Sequence, residues 1–330
     1  MSTTFHGLES IQQAETRIRP YIRQTLLDHS PYYSQRTEDH NTSVYFKCEN
    51  LQHTGSFKAR GALNKILSLN DDESQRGIIT ASSGNHGAAC AFAMQKVGVK
   101  GIVYVPETAS ETKIAAIRRL GAEVRLFGTD GLDTELEARA QAKANGMTFI
   151  SPYNDAEVVA GQGTIGPELL VQLPDTDMVY LAVGGGGLIG GVAAALKALK
   201  PSVEVIGCSP VNSQVMAESV AAGEILDLPS LPTLSDGTAG GVEPESITFP
   251  LCRDLVDRYV SVTEEEIAQS LREFMGTQHM LIEGAAAVAI AAFVQECAVT
   301  PKRFAEKNVV IVLCGANISL KTLADVLNGA

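Results

Sequence analysis

One lysine follows a glycine turn early in the chain, at a position where an amine could be held out of bulk water. Lys58 stands behind Phe57 in the segment HTGSFKARG of residues 53–61, at the start of a predicted helix. A lysine amine in such a place can act as a nucleophile and form a Schiff base with an aldehyde. Because most lysines are solvated on helix faces, the segment alone leaves both interpretations open.

A second polar segment, TASSGNHG at residues 80–87, lies directly between a predicted strand and a predicted helix. The free N–H groups of a helix start, with serine hydroxyls and an asparagine amide alongside, form a receptor for an anion. The segment therefore indicates a site for a substrate carboxylate, although serine and asparagine also serve as ordinary helix caps. This hypothesis selects Ser82, Ser83, Gly84, Asn85 and His86.

Four consecutive glycines, Gly184, Gly185, Gly186 and Gly187, lie between another strand pattern and a helix pattern that Leu188 continues. Without side chains in the way, backbone N–H groups can close around a phosphate, and the helix dipole adds to the attraction. The segment lacks the Gly-Lys-Ser/Thr ending of a nucleotide P-loop, and no acidic ribose partner is evident. We predict a phosphate site; a dinucleotide loop and a close-packed turn stay open as alternatives.

Two further residues occupy positions from which side chains of α/β proteins reach a ligand. Cys314 follows the apolar run 310–313, and the carboxyl end of a strand faces the ligand crevice in such folds. Glu283 opens an alanine-rich helix. Considered alone, Cys314 also fits an inert buried cysteine, and Glu283 fits a carboxylate that interacts with the helix dipole.

Parallel sheets would position these segments, and the chain has the corresponding pattern. Strand-like runs at residues 77–81, 101–106, 122–127 and 147–150 alternate with helical patterns at 85–97, 110–120 and 131–145. Near-continuous apolar runs follow at 178–183, 203–209 and 308–314, and they suit strands covered on both faces. Residues 223–250, with four prolines and four glycines, indicate a long loop. We predict a two-domain α/β protein with mostly parallel sheets and helices on both faces.

The composition bears on the partners and the compartment of the protein. The net charge is 26 − 38 = −12 and no Lys/Arg cluster occurs, so nucleic acid and membrane are not expected partners. Six scattered cysteines without a Cys-x-x-Cys pair fit a reducing compartment and argue against a zinc knuckle. The uncharged stretch 179–196 contains six glycines, which suit a strand–loop–helix junction better than a spanning helix. We therefore expect a cytoplasmic protein.

In this order and spacing, the segments resemble those of the pyridoxal-phosphate enzymes of the tryptophan-synthase-β fold, which is fold type II. Within it, the chain is similar to the branch of serine/threonine dehydratases (ammonia-lyases) and serine racemases. Residues 56–61 resemble the Schiff-base segment of the family, residues 82–87 its substrate-carboxylate loop, and residues 184–187 its phosphate loop. Residues 313–317 resemble its pyridine-nitrogen site, and residues 160–164 match a further signature. The resemblance covers nearly the whole chain. It implies a large cofactor-binding domain of residues 1–53 and 152–330 and a small domain of residues 54–151 that closes over the substrate.

The resemblance also implies the roles of individual residues. Lys58 would carry pyridoxal 5'-phosphate as a Schiff base and, together with Ser83, would act in catalysis. The other cofactor-binding residues would be Phe57, Asn85, Gly184, Gly185, Gly186, Gly187, Leu188, Glu283 and Cys314. The substrate-binding residues would be Ser82, Ser83, Gly84, Asn85, His86 and Asp236. No metal site is implied, because residues 208–215 offer no acidic side chain where the racemase branch binds a divalent cation.

The reaction that the resemblance implies is α,β-elimination from a 3-hydroxy amino acid of the L-threonine or L-serine type. Lys58 would remove the Cα proton, hydroxide would leave, and the product would hydrolyse to a 2-keto acid and ammonia. A neutral thiol at Cys314 would not hold the pyridine nitrogen protonated, which favours elimination over transamination. His86 stands where cysteine synthases and threonine synthases of this fold carry threonine, so these two activities are not expected.

Several alternatives stay open. Within the family these are a serine or aspartate racemase, because the two branches share Ser83, and a dehydratase for another 3-hydroxy amino acid. The second alternative arises because residues 234–241 look closer to dehydratases assigned to hydroxyectoine breakdown. Outside the family, a nicotinamide-dependent dehydrogenase and a non-catalytic ligand-binding protein would also account for parts of the sequence. The resemblance further suggests a homodimer or a homotetramer.

Overall fold

The structure is a computed structural model and describes residues 4–37 and 41–329. The strands in these ranges are β1 (Leu27–His29), β2 (Ser43–Lys47), β3 (Ile78–Ala81), β4 (Gly101–Val105), β5 (Glu123–Leu126), β6 (Thr148–Phe149), β7 (Met178–Ala182), β8 (Glu204–Pro210), β9 (Arg258–Val262) and β10 (Asn308–Val312). Each of the seven runs predicted as strands overlaps one of them, with ends that differ by at most two residues.

The helices in the same ranges are α1 (Leu8–Ile18), α2 (Pro31–Gln35), α3 (Lys58–Leu67), α4 (Asp71–Arg76), α5 (Asn85–Val97), α6 (Glu111–Arg119), α7 (Gly131–Asn145), α8 (Ala156–Gly163), α9 (Ile165–Gln172), α10 (Gly187–Leu199), α11 (Val215–Ala222), α12 (Thr248–Leu255), α13 (Glu264–Gln278), α14 (Gly284–Val299) and α15 (Leu320–Leu327). The three predicted helices are confirmed as α5, α6 and α7. The ends of α7 show how the sequence sets their limits. Asp130 caps the start of α7, and Gly146 ends it in the left-handed conformation. No strand or α-helix lies between α11 and α12, so the predicted loop of residues 223–250 is irregular up to Ile247, and its last three residues belong to α12. In the described part of the chain, no helix is long and apolar enough to span a membrane.

The chain divides into two compact units. Over their described residues, unit 1 consists of Met1–Arg23 and Gln52–Gln162, and unit 2 of Gln24–Leu51 and Gly163–Ala330. Unit 1 is larger than the predicted small domain of residues 54–151, since α1 and residues 152–162 also belong to it. Arg17 of α1 donates to Asn64 at 2.5 Å and pairs with Glu157 at 2.9 Å, and Ile18 is buried in the core of this unit.

The sheet of unit 1 has four parallel strands in the order β5–β4–β3–β6. After β3 the chain adds β4 and β5 on one side and then places β6 on the other side of β3. In open parallel sheets, ligands bind at the carboxyl ends of the strands where the order reverses in this way. The residues that follow β3 and β6 therefore form the candidate ligand edge of unit 1.

The sheet of unit 2 has six strands in the order β1–β2–β10–β7–β8–β9, and only β1 runs antiparallel to its neighbour. All five residues of β7 are buried, as expected for a strand covered on both faces, and both α10 and α14 pack on it. The order reverses between β7 and β10, so the residues after these two strands form the candidate ligand edge of unit 2. The predicted α/β class with mostly parallel sheets is confirmed.

Candidate active site

The predicted nucleophile, Lys58, is the first residue of α3 in unit 1, and it is half-buried. Its Nζ donates a hydrogen bond to the carbonyl oxygen of Pro152 at 2.8 Å and lies 5.2 Å from the centroid of the Phe57 ring. Pro152 follows β6 by three residues. The amine therefore lies at the candidate ligand edge of unit 1.

The turn before Lys58 is held by packing. Thr54 has a left-handed φ of 61° in the 3₁₀ turn His53–Gly55, a conformation that a non-glycine residue keeps only where its surroundings impose it. The ring of His53 stacks on Phe92 of α5, with centroids 4.8 Å apart. The chain segment that leads into Lys58 is thereby held against α5.

The start of α3 is also fixed by α8, which approaches it closely at two glycines. Gly61 donates its N–H to the side-chain oxygen of Gln162 at 3.1 Å. A Cβ on Gly161 would lie only 2.6 Å from the Cα of Gly61. Residues 160–164 match a family signature to which the sequence alone assigns no role. The contacts of Gly161 and Gln162 show that this segment supports the helix that begins with Lys58.

The predicted carboxylate receptor follows β3, the neighbour of β6. α5 begins at Asn85, and the residue before it, Gly84, makes no side-chain cap. The Ser82 hydroxyl accepts the N–H of Gly84 at 3.1 Å, and residues 82–85 are half-buried. A helix start of this kind, with polar side chains beside it, suits an anion. Since β3 and β6 are adjacent, the structure brings this receptor and Lys58 to the same edge.

His86 differs from the residues before it because its ring is buried, with only 3% of the residue exposed. Its Nε2 lies 3.1 Å from the carbonyl oxygen of Ile150, and the Cys90 thiol lies 3.6 Å from the same nitrogen. Burial, and to a smaller extent the charge of Lys58, lowers the pKa of His86 to about 3. The ring is therefore neutral at physiological pH, and a substrate-binding role for His86 stays a prediction.

The tetraglycine segment connects β7 to α10 in unit 2. Gly186 has a φ of 84°, which favours glycine, and a Cβ there would lie 2.7 Å from the Cys252 sulfur. Thr248 donates its hydroxyl to the Gly185 carbonyl at 2.6 Å, and the N–H of Gly190 donates to the Gly186 carbonyl at 2.8 Å. These carbonyls are bonded within the protein, whereas the first N–H groups of α10, including that of the buried Leu188, have no helical partner. The segment fits a phosphate.

Thr238 and Thr248 support this loop, and the sequence analysis missed both. A Cβ on Gly184 would lie 3.0 Å from the Cα of Thr238, whose hydroxyl is 2.5 Å from that of Ser235. No motif or spacing links these threonines to the glycines, because only the fold brings residues so distant in sequence together. Asp236 is exposed in the same turn, and its role in substrate binding stays a prediction.

Cys314 lies two residues beyond β10, and the Glu283 carboxylate lies beside it. Both residues are buried, and the Cys314 thiol is 3.8 Å from Oε1 of Glu283. Asn317 donates its N–H to Oε2 at 3.2 Å, and the N–H of Glu283 donates to the Gly315 carbonyl at 3.0 Å. Because β10 neighbours β7, Cys314 and Glu283 share the candidate ligand edge of unit 2 with the tetraglycine loop.

The predicted residues thus form two sets, one in each unit. Unit 1 holds an amine beside a helix start that suits an anion, and unit 2 holds a glycine loop that suits a phosphate and, near it, a buried thiol. Within residues 4–37 and 41–329, no group of three or more His, Cys, Asp or Glu could hold a metal ion.

Comparison with known proteins places these features in context. The profile of the family described as "Pyridoxal-phosphate dependent enzyme" matches residues 18–315. The chain is 40% identical over 321 residues to the catabolic L-threonine dehydratase of Staphylococcus aureus (strain USA300), covering 97% of this chain and 92% of that protein. Its fold is similar to maize serine racemase, with a TM-score of 0.90, 31% identity, and coverage of 98% of this chain and 97% of that chain. The processed threonine deaminase isoform 2 of Solanum lycopersicum also gives a TM-score of 0.90 and 31% identity, with coverage of 100% and 96%.

Proposed function

Since the chain belongs to the family of pyridoxal-phosphate-dependent enzymes, we propose that it is an ammonia-lyase acting on a 3-hydroxy amino acid of the L-threonine or L-serine type. The products are a 2-keto acid and ammonia. One observation carries the proposal: the 40% identity to an L-threonine dehydratase extends over 97% of the chain. The geometry supports it, because the Lys58 amine shares one sheet edge with a helix start that suits a carboxylate.

When bound, the cofactor would supply an electron-withdrawing group that makes the Cα–H bond of the amino acid easier to break. Lys58 would hold it, with Phe57 and Asn85 near its ring. The backbone N–H groups of residues 184–188 would bind its phosphate. Glycine is needed in that loop, because a side chain on Gly184 or Gly186 would meet Thr238 or Cys252 within 3.0 Å.

The amine of Lys58 is the base that removes the Cα proton. The Pro152 carbonyl accepts one of its N–H bonds at 2.8 Å, which fixes the position of the nitrogen at the ligand edge. The first N–H groups of α5, with Ser82 and Ser83, bind the substrate carboxylate and so orient the Cα–H bond. Ser83 is the second residue that would handle a proton, and Asp236 would contact the substrate.

Cys314 would meet the pyridine nitrogen of the cofactor, and Glu283 lies beside Cys314. The thiol is 3.8 Å from the Glu283 carboxylate. Because a thiol is a neutral group, Cys314 would not hold the pyridine nitrogen protonated. A cofactor held by a neutral partner at that nitrogen would be a weaker electron acceptor, which would favour loss of the β-hydroxyl over transamination. This arrangement supports an elimination rather than an amino-group transfer.

Reduction with borohydride, followed by peptide mass spectrometry, tests the proposal directly. We expect a reduced cofactor on Lys58. In a separate assay, the unreduced enzyme should form 2-keto acid as the main product from L-threonine or L-serine. Lys58→Ala should lose the label and nearly all turnover. Lys65→Ala is the matched control, because Lys65 lies in the same helix but pairs with Asp155 at 2.7 Å. A label on another lysine, or none, would contradict the proposal.

A racemase is the second candidate, and the fold similarity to maize serine racemase favours it. Quantifying both D-enantiomer and keto acid from L-serine, L-aspartate and L-threonine separates the two. A dominant D-product would replace the lyase assignment with a racemase. Activity confined to another 3-hydroxy amino acid would keep the reaction and change the substrate.

We also propose that the enzyme acts in the cytoplasm as a homodimer or homotetramer, without nucleic acid or membrane partners. The net charge of −12 and six free, buried cysteines support this setting. Light scattering on the purified protein should give a mass of two or four chains, and a single-chain mass would contradict the oligomer.

A further inference from the structure

The segment that receives the Lys58 amine has no regular structure of its own. It follows β6, and Pro152 in it accepts the Lys58 Nζ at 2.8 Å. Two residues earlier, the Ile150 carbonyl accepts the Thr80 hydroxyl at 3.0 Å and the His86 Nε2 at 3.1 Å. Because proline fixes its own φ, the orientation of Ile150 is transmitted to the Pro152 carbonyl over a short, stiff path.

His86 has the properties of a dedicated donor to this segment. The Ile150 carbonyl can only accept, so Nε2 carries the ring proton and Nδ1 does not. Nδ1 is buried without a hydrogen-bond partner. An apolar side chain would fill this place without leaving an acceptor unsatisfied, so packing alone does not explain an imidazole here.

The groups that face the ring keep it neutral. Cys90 lies 3.6 Å from Nε2, and burial raises the pKa of its thiol to about 12. The charge of Lys58 opposes protonation of the imidazole, which adds to the effect of burial. His86 therefore acts on the Ile150 carbonyl as an uncharged donor.

We propose that His86 is a positioning residue for Lys58: by holding the Ile150 carbonyl, it sets the Pro152 carbonyl that receives the amine. This inference rests on the proposed function, in which Lys58 carries the cofactor. The His86 ring is then occupied by the main chain, and its contribution to the carboxylate receptor is its backbone N–H at the start of α5.

Three variants test this role. His86→Leu removes the donor, and His86→Gln restores an N–H at a similar reach. Cys90→Ala perturbs the same buried neighbourhood without a bond to residues 150–152. The measurements are the rate at which borohydride-trappable cofactor forms on Lys58 after pyridoxal phosphate is added to cofactor-stripped enzyme, together with kcat and KM.

His86→Leu should slow attachment and lower kcat by about tenfold or more, with KM changed less than about twofold because main-chain N–H groups bind the carboxylate. His86→Gln should stay within about threefold of wild type, and Cys90→Ala within about twofold. Wild-type rates in His86→Leu, or an equal loss in His86→Gln and His86→Leu, would overturn the inference.

Thr80→Val covers the case in which His86→Leu does not fold, since it removes the other donor to the Ile150 carbonyl. Like His86→Leu, it should slow the attachment of cofactor to Lys58. An unchanged rate would count against the role of the Ile150 carbonyl. If wild type forms no trappable cofactor on Lys58, the proposed function itself fails. A normal wild type with a normal His86→Leu overturns only the positioning role.

Discussion

At the residue scale, the neutral state of His86 has a consequence for stability. Its pKa is about 3 in the folded protein, against 6.5 for an unperturbed histidine. Between these values the unfolded chain binds a proton that the folded chain does not. The free energy of unfolding therefore falls as the pH drops from 6.5 towards 3, by up to about 1.4 kcal/mol per pH unit. Above pH 6.5 the contribution does not vary.

His86→Gln should remove this dependence. Between pH 7.5 and pH 5, the wild type should lose about 2 kcal/mol more of its free energy of unfolding than His86→Gln. Urea unfolding at the two pH values measures the difference, and the exposed His6→Gln serves as the control. Equal losses in wild type and His86→Gln would show that folding does not lower the pKa of the ring.

The contact between Cys314 and Glu283 gives a second prediction at this scale. Cys314→Ser keeps a neutral donor beside the Glu283 carboxylate and should be tolerated. Cys314→Asp places a second buried carboxylate beside it and should destabilise the protein by about 2 kcal/mol or more. Denaturant unfolding of the two variants compares them directly, and equal stability would contradict the buried contact between residues 314 and 283.

Some residues of the candidate site could be predicted from the sequence, and others could not. Lys58 and the tetraglycine are marked by local patterns, so they were found directly. The Pro152 carbonyl and the hydroxyl of Thr248 carry no such pattern, because a backbone acceptor looks the same in every residue and a threonine in an irregular segment is common. Their roles depend on contacts across 94 and 63 residues.

At the element scale, alternating strand and helix patterns predicted the sheets well, since buried parallel strands are almost continuously apolar. The pattern did not reveal why the chain carries glycine at both Gly61 and Gly161. The reason is the close approach of α3 and α8, a contact between residues one hundred positions apart.

Gly161→Ala tests the importance of that approach. The added Cβ would lie 2.6 Å from the Gly61 Cα and 2.7 Å from the Arg60 carbonyl oxygen, so α3 and α8 must separate. We expect a loss of about 1–3 kcal/mol in the free energy of unfolding and slower attachment of cofactor to Lys58. Gly131→Ala is the control, because a Cβ there meets nothing within 4 Å. Equal stability of the two variants would show that the glycine contact can relax freely.

At the scale of the whole molecule, the division into units was the least predictable feature. No linker or change of composition marks Arg23, Gln52 or Gln162. The ion pair of Arg17 with Glu157 and the burial of Ile18 decide that α1 belongs with α3 rather than with the strand that follows it. Such long-range packing has no local signal, whereas the fold class follows from the periodicity of each segment.

A bound cofactor also bears on the stability of the whole chain. A ligand that binds only the folded protein adds about 2.7 kcal/mol at one hundred times its dissociation constant. Pyridoxal phosphate should therefore raise the Tm of the wild type by several degrees, and it should raise that of Lys58→Ala less, because only the covalent link is lost. Pyridoxamine phosphate lacks the aldehyde and should stabilise both proteins equally through the tetraglycine loop.

Pyridoxal without phosphate should give the smallest shift. Differential scanning fluorimetry with the three compounds measures these shifts, and equal stabilisation by pyridoxal and its phosphate would rule out the loop as the phosphate site.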